Sequence, residues 1–141
     1  MNKNKISKSE FIDRLDKLCG KGDLIQFPKS NTDRLILLGS IVIKLEFQKE
    51  YSEKSINETI VKWIDKMANQ SYLDHVTLRR YLVDLGLLER NRAGDCYCVS
   101  ESRMSDLFED VIHTIDPFLL IKNFREEREA RRKEWKNNKL Y

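Results

Sequence analysis

The sequence predicts a mostly α domain with one β-hairpin set inside it, and three observations predict that class. Apolar residues recur at spacings of three and four in six stretches, the period of helices that bury one face. That period changes once, after Gly86, where LLER and CYCV flank the turn-forming NRAG. The composition is that of a folded chain: 40% hydrophobic and 35% charged, with five Gly and two Pro in 141 residues. This is material for one core with extensions rather than for two full domains.

The first helix is expected from about Lys8 to Cys19. Phe11, Ile12, Leu15, Leu18 and Cys19 make its apolar stripe, Ser7 and Glu10 form a capping box, and Gly20 is a natural stop. LIQFP (24–28) follows as an extended linker, because the residue before a proline avoids helical angles. SNTDRLILLGSIVIKLEF then reads as a second helix, capped by Ser30, Asn31 or Thr32. Leu35, Leu38, Ile41, Val42 and Leu45 form its main stripe, while Ile36, Leu37 and Ile43 carry apolarity around the cylinder, as in a central buried helix. A third helix starts after Tyr51 with Ser52 as cap and places Ile56, Ile60, Trp63, Ile64 and Met67 on one face. ANQSYL is a loop, and Asp74 caps a fourth helix that stops before Gly86. Beyond the hairpin, Ser102 is expected to cap a helix carrying Met104, Leu107, Phe108, Val111, Ile112 and Ile115. Asp116-Pro117 ends that helix and opens the last one, since proline is tolerated in a first turn. The last helix is apolar for two turns and heavily charged afterwards.

Three helices followed by a hairpin, with additional N- and C-terminal helices, is the order of a winged helix-turn-helix core. The expected division is an N-terminal helix over 1–21, a winged-helix-like domain over 22–100 and a C-terminal helical extension over 101–141 that ends in a basic tail. At 100° per residue, Leu78, Tyr81, Leu82 and Leu85 share the core face of the fourth helix. Arg80 points away from it, with Val76, Val83 and Asp84 nearby and Thr77 and Arg79 flanking. In a DNA-reading helix Thr77, Arg79 and Arg80 would contact the major groove, the two arginines dividing base edges and phosphate between them, because a guanidinium fork matches guanine. Arg90 and Arg92 would bring the wing to the backbone. The same face, with its two valines and Asp84, equally suits packing on a partner protein, and arginines on an exposed helix are commonly just solvated.

The segments FP (27–28), YSEKSINE (51–58), DHVTLRRYLVDLGLLER (74–90) and GDCYCV (94–99) resemble the bacterial family known as domain of unknown function 2087. The resemblance covers residues ~22–99, and TLRRYLVD-G-L-R is its most specific string. Members of that family occur alone or attached to helix-turn-helix modules of predicted transcriptional regulators. The resemblance implies a winged-helix-like fold in a regulatory setting and brings no catalytic residues. The loop 66–72 is longer than the family pattern, and with no separate DNA-binding module attached this domain would have to contact DNA itself.

Other chemistries have less to stand on. Cys96 and Cys98 fall on one face of a strand, the right placement for two metal ligands, but the second ligand pair of a zinc site is missing, so no metal is expected. Only two His are present, and neither is placed beside a nucleophile as catalysis would require; no glycine-rich phosphate loop occurs. The expectation is a non-enzymatic protein without a cofactor. No run of ~18 apolar residues suggests a membrane span, the basic N-terminus lacks the apolar core of a signal peptide, and three sparse cysteines suit a reducing compartment. The expected location is the cytoplasm.

The net charge of +3 is unevenly spread: residues 118–141 hold eight Lys/Arg against four Glu, and residues 1–117 hold eighteen against nineteen Asp/Glu. Arg128, Arg131 and Arg132 of the tail are further candidates for phosphate contact, while pairs such as Glu127 with Arg131 support an exposed helix. Trp135 and Tyr141 are out of place on so charged a segment and mark a contact either with the body of the protein or with a second chain, a further copy or a partner. The leading expectation is therefore a small DNA-binding transcriptional regulator using helix 74–85 and wing 87–99. The alternative is a protein-interaction or dimerisation module of the same fold.

Overall fold

A computed structural model describes residues 5–69 and 71–139. In chain order they form α1 (Lys8–Leu15), extended by a wider π-helical turn over Asp16–Gly20; α2 (Asn31–Val42); β1 (Tyr51–Ser52); and α3 (Glu53–Met67). There follow α4 (His75–Asp84), β2 (Leu88–Arg90), β3 (Cys96–Val99), α5 (Glu101–Leu107), a 3-10 turn (Asp110–Thr114) and α6 (Pro117–Lys139). The architecture is mostly helical around one small antiparallel sheet of order β1-β3-β2.

The helix starts follow from their caps. Ser7, Ser30, Ser52, Asp74 and Ser100 each stand in extended conformation and accept a backbone N–H from three residues on, which satisfies one of the donors that a helix leaves orphaned. Buried residues from Ile6 to Ile121 form one continuous core, so the flanking helices share it with the middle of the chain. Trp63 lies at its centre, 1% exposed, and its indole Nε1–H donates to Ser40 Oγ at 2.8 Å. Ser40 in turn donates to the Leu37 carbonyl at 2.6 Å, so the two buried polar groups in this contact are both satisfied.

Three expected boundaries differ. The second helix ends at Val42 rather than running to Phe47; the chain turns back there, and Phe47 bridges to Val99 beside the sheet. The helix expected over 102–115 is two pieces, the first capped by Ser100 instead of Ser102 and the second without a side-chain cap. It breaks because Phe108 is extended: the Leu107 carbonyl accepts the Ile6 N–H at 2.8 Å, and Glu109 N–H donates back to the Ile6 carbonyl at 3.0 Å. The Phe108 ring then packs edge-on against Phe11, 5.7 Å between centroids. Finally, Tyr51-Ser52 precedes α3 as a third strand, paired in register with Tyr97 and Cys96; two residues are too short to carry a readable period. No helix among the described residues is long and apolar enough to cross a membrane.

Arg125 of α6 ties separate segments together. Its Nε donates to the Cys19 carbonyl at 3.0 Å and its Nη1 to the Lys66 carbonyl at 3.1 Å, while Nη2 pairs with Asp23 at 3.3 Å. Arg125→Ala should lower stability by about 2 kcal/mol, since hydrogen bonds made by a charged group are the stronger kind; the measurement is the urea midpoint, with the slope unchanged.

Burial also sets the chemistry of Cys19, which is fully buried. Loss of solvent, opposed by the Arg125 charge, pushes its thiol from 9.0 up to about 12. The folded chain therefore holds that proton through a range in which the unfolded chain releases it. The contribution to stability is complete below pH 9 and falls as pH rises towards 12. In urea titrations between pH 8.5 and 10.5, Cys19→Ala should lose stability less steeply than the parent chain, by up to ~1.4 kcal/mol per pH unit.

Candidate nucleic-acid interface

Helix α4 is built to be held by one face. Leu78 and Leu82 are fully buried, and Tyr81 stacks on Phe27 at 4.9 Å and 15°. At its start, Asp74 accepts the Thr77 N–H at 2.8 Å and the Thr77 hydroxyl at 3.2 Å. These bonds, the backbone one foremost, hold the Asp74 carboxyl below its ordinary pKa. At its end, Gly86 stands at φ +86°, Gly86 N–H donates to the Val83 carbonyl at 3.0 Å and Leu87 N–H to the Leu82 carbonyl at 2.9 Å. That bond pattern closes a helix around a left-handed residue, which glycine supplies without strain. Arg103 Nε adds a bond to the Leu85 carbonyl at 2.9 Å, fixing the end of α4 against α5.

The hairpin leaves directly from that stop. Leu88, Glu89 and Arg90 pair with Val99, Cys98 and Tyr97, and the turn is organised by Asn91. Its Oδ1 accepts the N–H groups of Gly94, Asp95 and Cys96 at 2.8, 3.1 and 3.2 Å, and its amide donates to Asp95 at 2.8 Å. Asp95 is thereby held below its ordinary pKa.

The pleat sorts charge between the two faces of the hairpin. Arg90 shares a face with Leu88, Tyr97 and Val99, and Glu89 shares the other with Cys96 and Cys98. Arg90 accordingly lies over the Tyr97 ring, 6.0 Å from its centroid, and its Nε reaches the Gly94 carbonyl at 3.3 Å. Glu89 sits 3.9 Å from the Cys98 sulfur. Burial, reinforced by Glu89, raises the Cys98 thiol pKa. No group of three or more His, Cys, Asp or Glu among the described residues is arranged to hold a metal ion.

Between α4 and the hairpin runs a groove of about 240 Å³, lined by Val76, Arg79, Arg80, Val83 and Asp84 of the helix and by Arg90 and Tyr97 of the sheet. Three guanidinium groups thus meet around one concave surface with a single carboxylate among them. They are held differently. Arg79 is half-buried and its Nη1 donates to Asn57 Oδ1 on α3. Arg90 is tethered along the hairpin, whereas Arg80 is exposed without a hydrogen-bond or ion-pair partner among the described residues. Arg92 is exposed at the turn, and Thr77 is engaged in the cap.

The tail arginines do not line this groove. Arg128 is bidentate with Asp16, with Nη2 to Oδ2 at 3.1 Å, and Arg132 pairs with Glu129 at 3.0 Å. Arg131 is exposed. Tyr141 lies outside the described residues. Sequence patterns do not pick out Asn57 or Tyr97 as parts of the site. Asn57 is 22 positions from the arginine that it orients, and no local pattern links the two.

A family model described as "uncharacterized protein conserved in bacteria" (DUF2087) matches residues 23–99, more than half of the chain. The chain belongs to the DUF2087 family. The matched span runs from the linker before α2 through β3 and contains both walls of the groove, while α1, α5 and α6 flank it. No curated protein and no solved structure matches the chain.

Proposed function

We propose that this DUF2087 domain is a non-enzymatic DNA-binding protein of winged-helix type, a cytoplasmic transcriptional regulator in which α4 enters the major groove and the β2–β3 hairpin is the wing. The observation that carries this reading is the convergence of Arg79, Arg80 and Arg90 on the groove between helix and hairpin. The element order α2-β1-α3-α4-β2-β3, with β3 central in the sheet, supports it as an arrangement that presents a helix beside a hairpin. Arg80 is the base-reading side chain because it is the least restrained. Arg79, Arg90 and Arg92 serve phosphate, where position matters more than reach. Thr77 stays with the cap and contributes at the edge of the helix.

The neutral body is compatible with this role because affinity for phosphate depends on local cations rather than on net charge. In the tail, Arg131 is available to bind further phosphate, whereas Arg128 and Arg132 would have to exchange Asp16 and Glu129 for DNA. Fluorescence anisotropy with mixed-sequence duplexes at low salt should show binding that Arg79→Ala/Arg80→Ala abolishes or flattens. In the double variant the slope of log K against log salt should fall by about 1 for each phosphate that is no longer neutralised. Binding that is absent, or that the double variant leaves unchanged, defeats the proposal.

A second reading, self-association or partner docking through the end of α6, has one observation in its favour. Residues 129–138 are all exposed and include Trp135 at 59%. If that segment is an interface, light scattering should show a dimer that deletion after Arg128 converts to monomer. A deletion at 118 would be uninformative, because Ile121 and Arg125 belong to the folded body.

A further inference from the structure

We propose that Val76, Arg80 and Val83 give this domain a preference for duplexes in which thymines stand on either side of a guanine, with Arg80 on the guanine and the two valines against thymine methyl groups. The inference rests on the DNA-binding reading above and adds what the DNA must contain.

The three residues lie at i, i+4 and i+7 of α4 and line one groove. Phosphate alone does not account for them. A valine side chain has no hydrogen-bonding group, so it gains nothing against a phosphate oxygen; yet Val76 is 44% exposed, and Val83, half-buried against the core, lines the same groove as three guanidinium groups and the Asp84 carboxylate. In the major groove only one base edge of unmodified DNA is apolar, the C5-methyl of thymine. Arg80 stands between the valines, and its planar fork matches the O6 and N7 acceptors of guanine.

The spacing agrees. With a helical rise of 1.5 Å per residue, Val76 is about 6 Å and Val83 about 4.5 Å along the axis from Arg80. Those distances correspond to one or two base-pair steps in each direction, at ~3.4 Å per step. Arg79 is bonded to Asn57 and Arg90 to the hairpin, which leaves Arg80 as the groove arginine free to reach inward. The cationic charge around the valines is what favours a duplex over a protein as the occupant of this face; the one carboxylate in the groove, Asp84, can accept only from an amino group such as cytosine N4.

The test uses the full chain and changes mainly the DNA, so that folding is not at issue. Selection from a random duplex pool should return sites with thymine within two base pairs on each side of a guanine. Replacing those thymines by uracil, which removes only the methyl, should weaken anisotropy-measured binding about threefold to fivefold per position. Replacing the guanine by 7-deazaguanine should weaken it about tenfold. In Val76→Ala the thymine-to-uracil ratio should fall towards one at one flank only, and in Arg80→Ala the guanine discrimination should vanish.

Duplex binding with no thymine-to-uracil difference, or with a difference that Val76→Ala and Val83→Ala leave intact, overturns the base preference while the DNA-binding reading survives. No binding to any duplex overturns both. Loss of a self-associated form in Val76→Glu, without base preference in the parent chain, assigns the face to a second copy instead and also overturns the inference.

Discussion

The guanidinium of Arg125 is the constraint on which the arrangement of helices depends. A helix leaves its last carbonyls without partners, and here two helix ends, at Cys19 and at Lys66, meet near one another. The planar fork of an arginine offers five donors in fixed directions, so a single side chain can serve both ends and still reach the carboxylate of Asp23. A lysine would supply the charge without the geometry. Because Lys66 sits in the last turn of α3, the contact also fixes α3, and α3 carries Asn57 nearer its other end, where it orients Arg79. The flanking helix α6, outside the family-matched span, thereby bears on the groove through α3.

Within the groove, the decisive feature is the segregation of charge rather than its sum. Residues 1–117 are close to neutral, and a count would predict no attraction for a polyanion. The alternation of a strand separates what composition mixes: Arg90 turns to the helix side of the hairpin and Glu89 to the far side with Cys98. Asp95 is taken up by the Asn91 turn. Asp84 is the acid left facing the three arginines, and it stands at the C-terminal end of α4, where a negative side chain opposes the helix dipole. Such a residue costs the helix some stability, and it interrupts the positive lining of the groove at the end of α4.

Much of this was legible in the sequence because it is local. Caps at Ser7, Ser52 and Asp74, the stop at Gly86 and the hairpin turn are each specified within a few residues, and α4 presents its faces as its period predicts; among Ser30, Asn31 and Thr32, the fold selects Ser30. The features that escaped are those decided across the chain. Phe108 leaves the helical path to meet Ile6, about a hundred residues away. Tyr51-Ser52 becomes a strand only because β3 is there to receive it. Thr77 shows the same limit on a smaller scale: its outward placement was readable, but its hydroxyl is already bonded to Asp74. Sequence position gave the direction of a side chain and not whether its polar groups were free.

The basic tail shows the same limit for charge. By count, residues 118–141 carry an excess of four positive charges, which reads as a surface for polyanions. In the fold the proximal cations are engaged: Arg125 with Asp23, Arg128 with Asp16, and Lys122 with Glu126 at 3.2 Å. Two of these acids belong to the N-terminal third of the chain, so part of the tail's positive excess balances acids of the body instead of facing solvent. The pairs with Asp16 and Asp23 are more sheltered than the exposed i,i+4 pair of Lys122, and they add to the packing of Phe118, Ile121 and Phe124 that seats α6 on the core. Beyond Arg128 the helix carries Arg131, Lys133 and Lys136 on exposed turns without such partners in the body. The first half of the tail is thus a structural strap, and the exposed cations of the tail, Arg131, Lys133 and Lys136, lie beyond it.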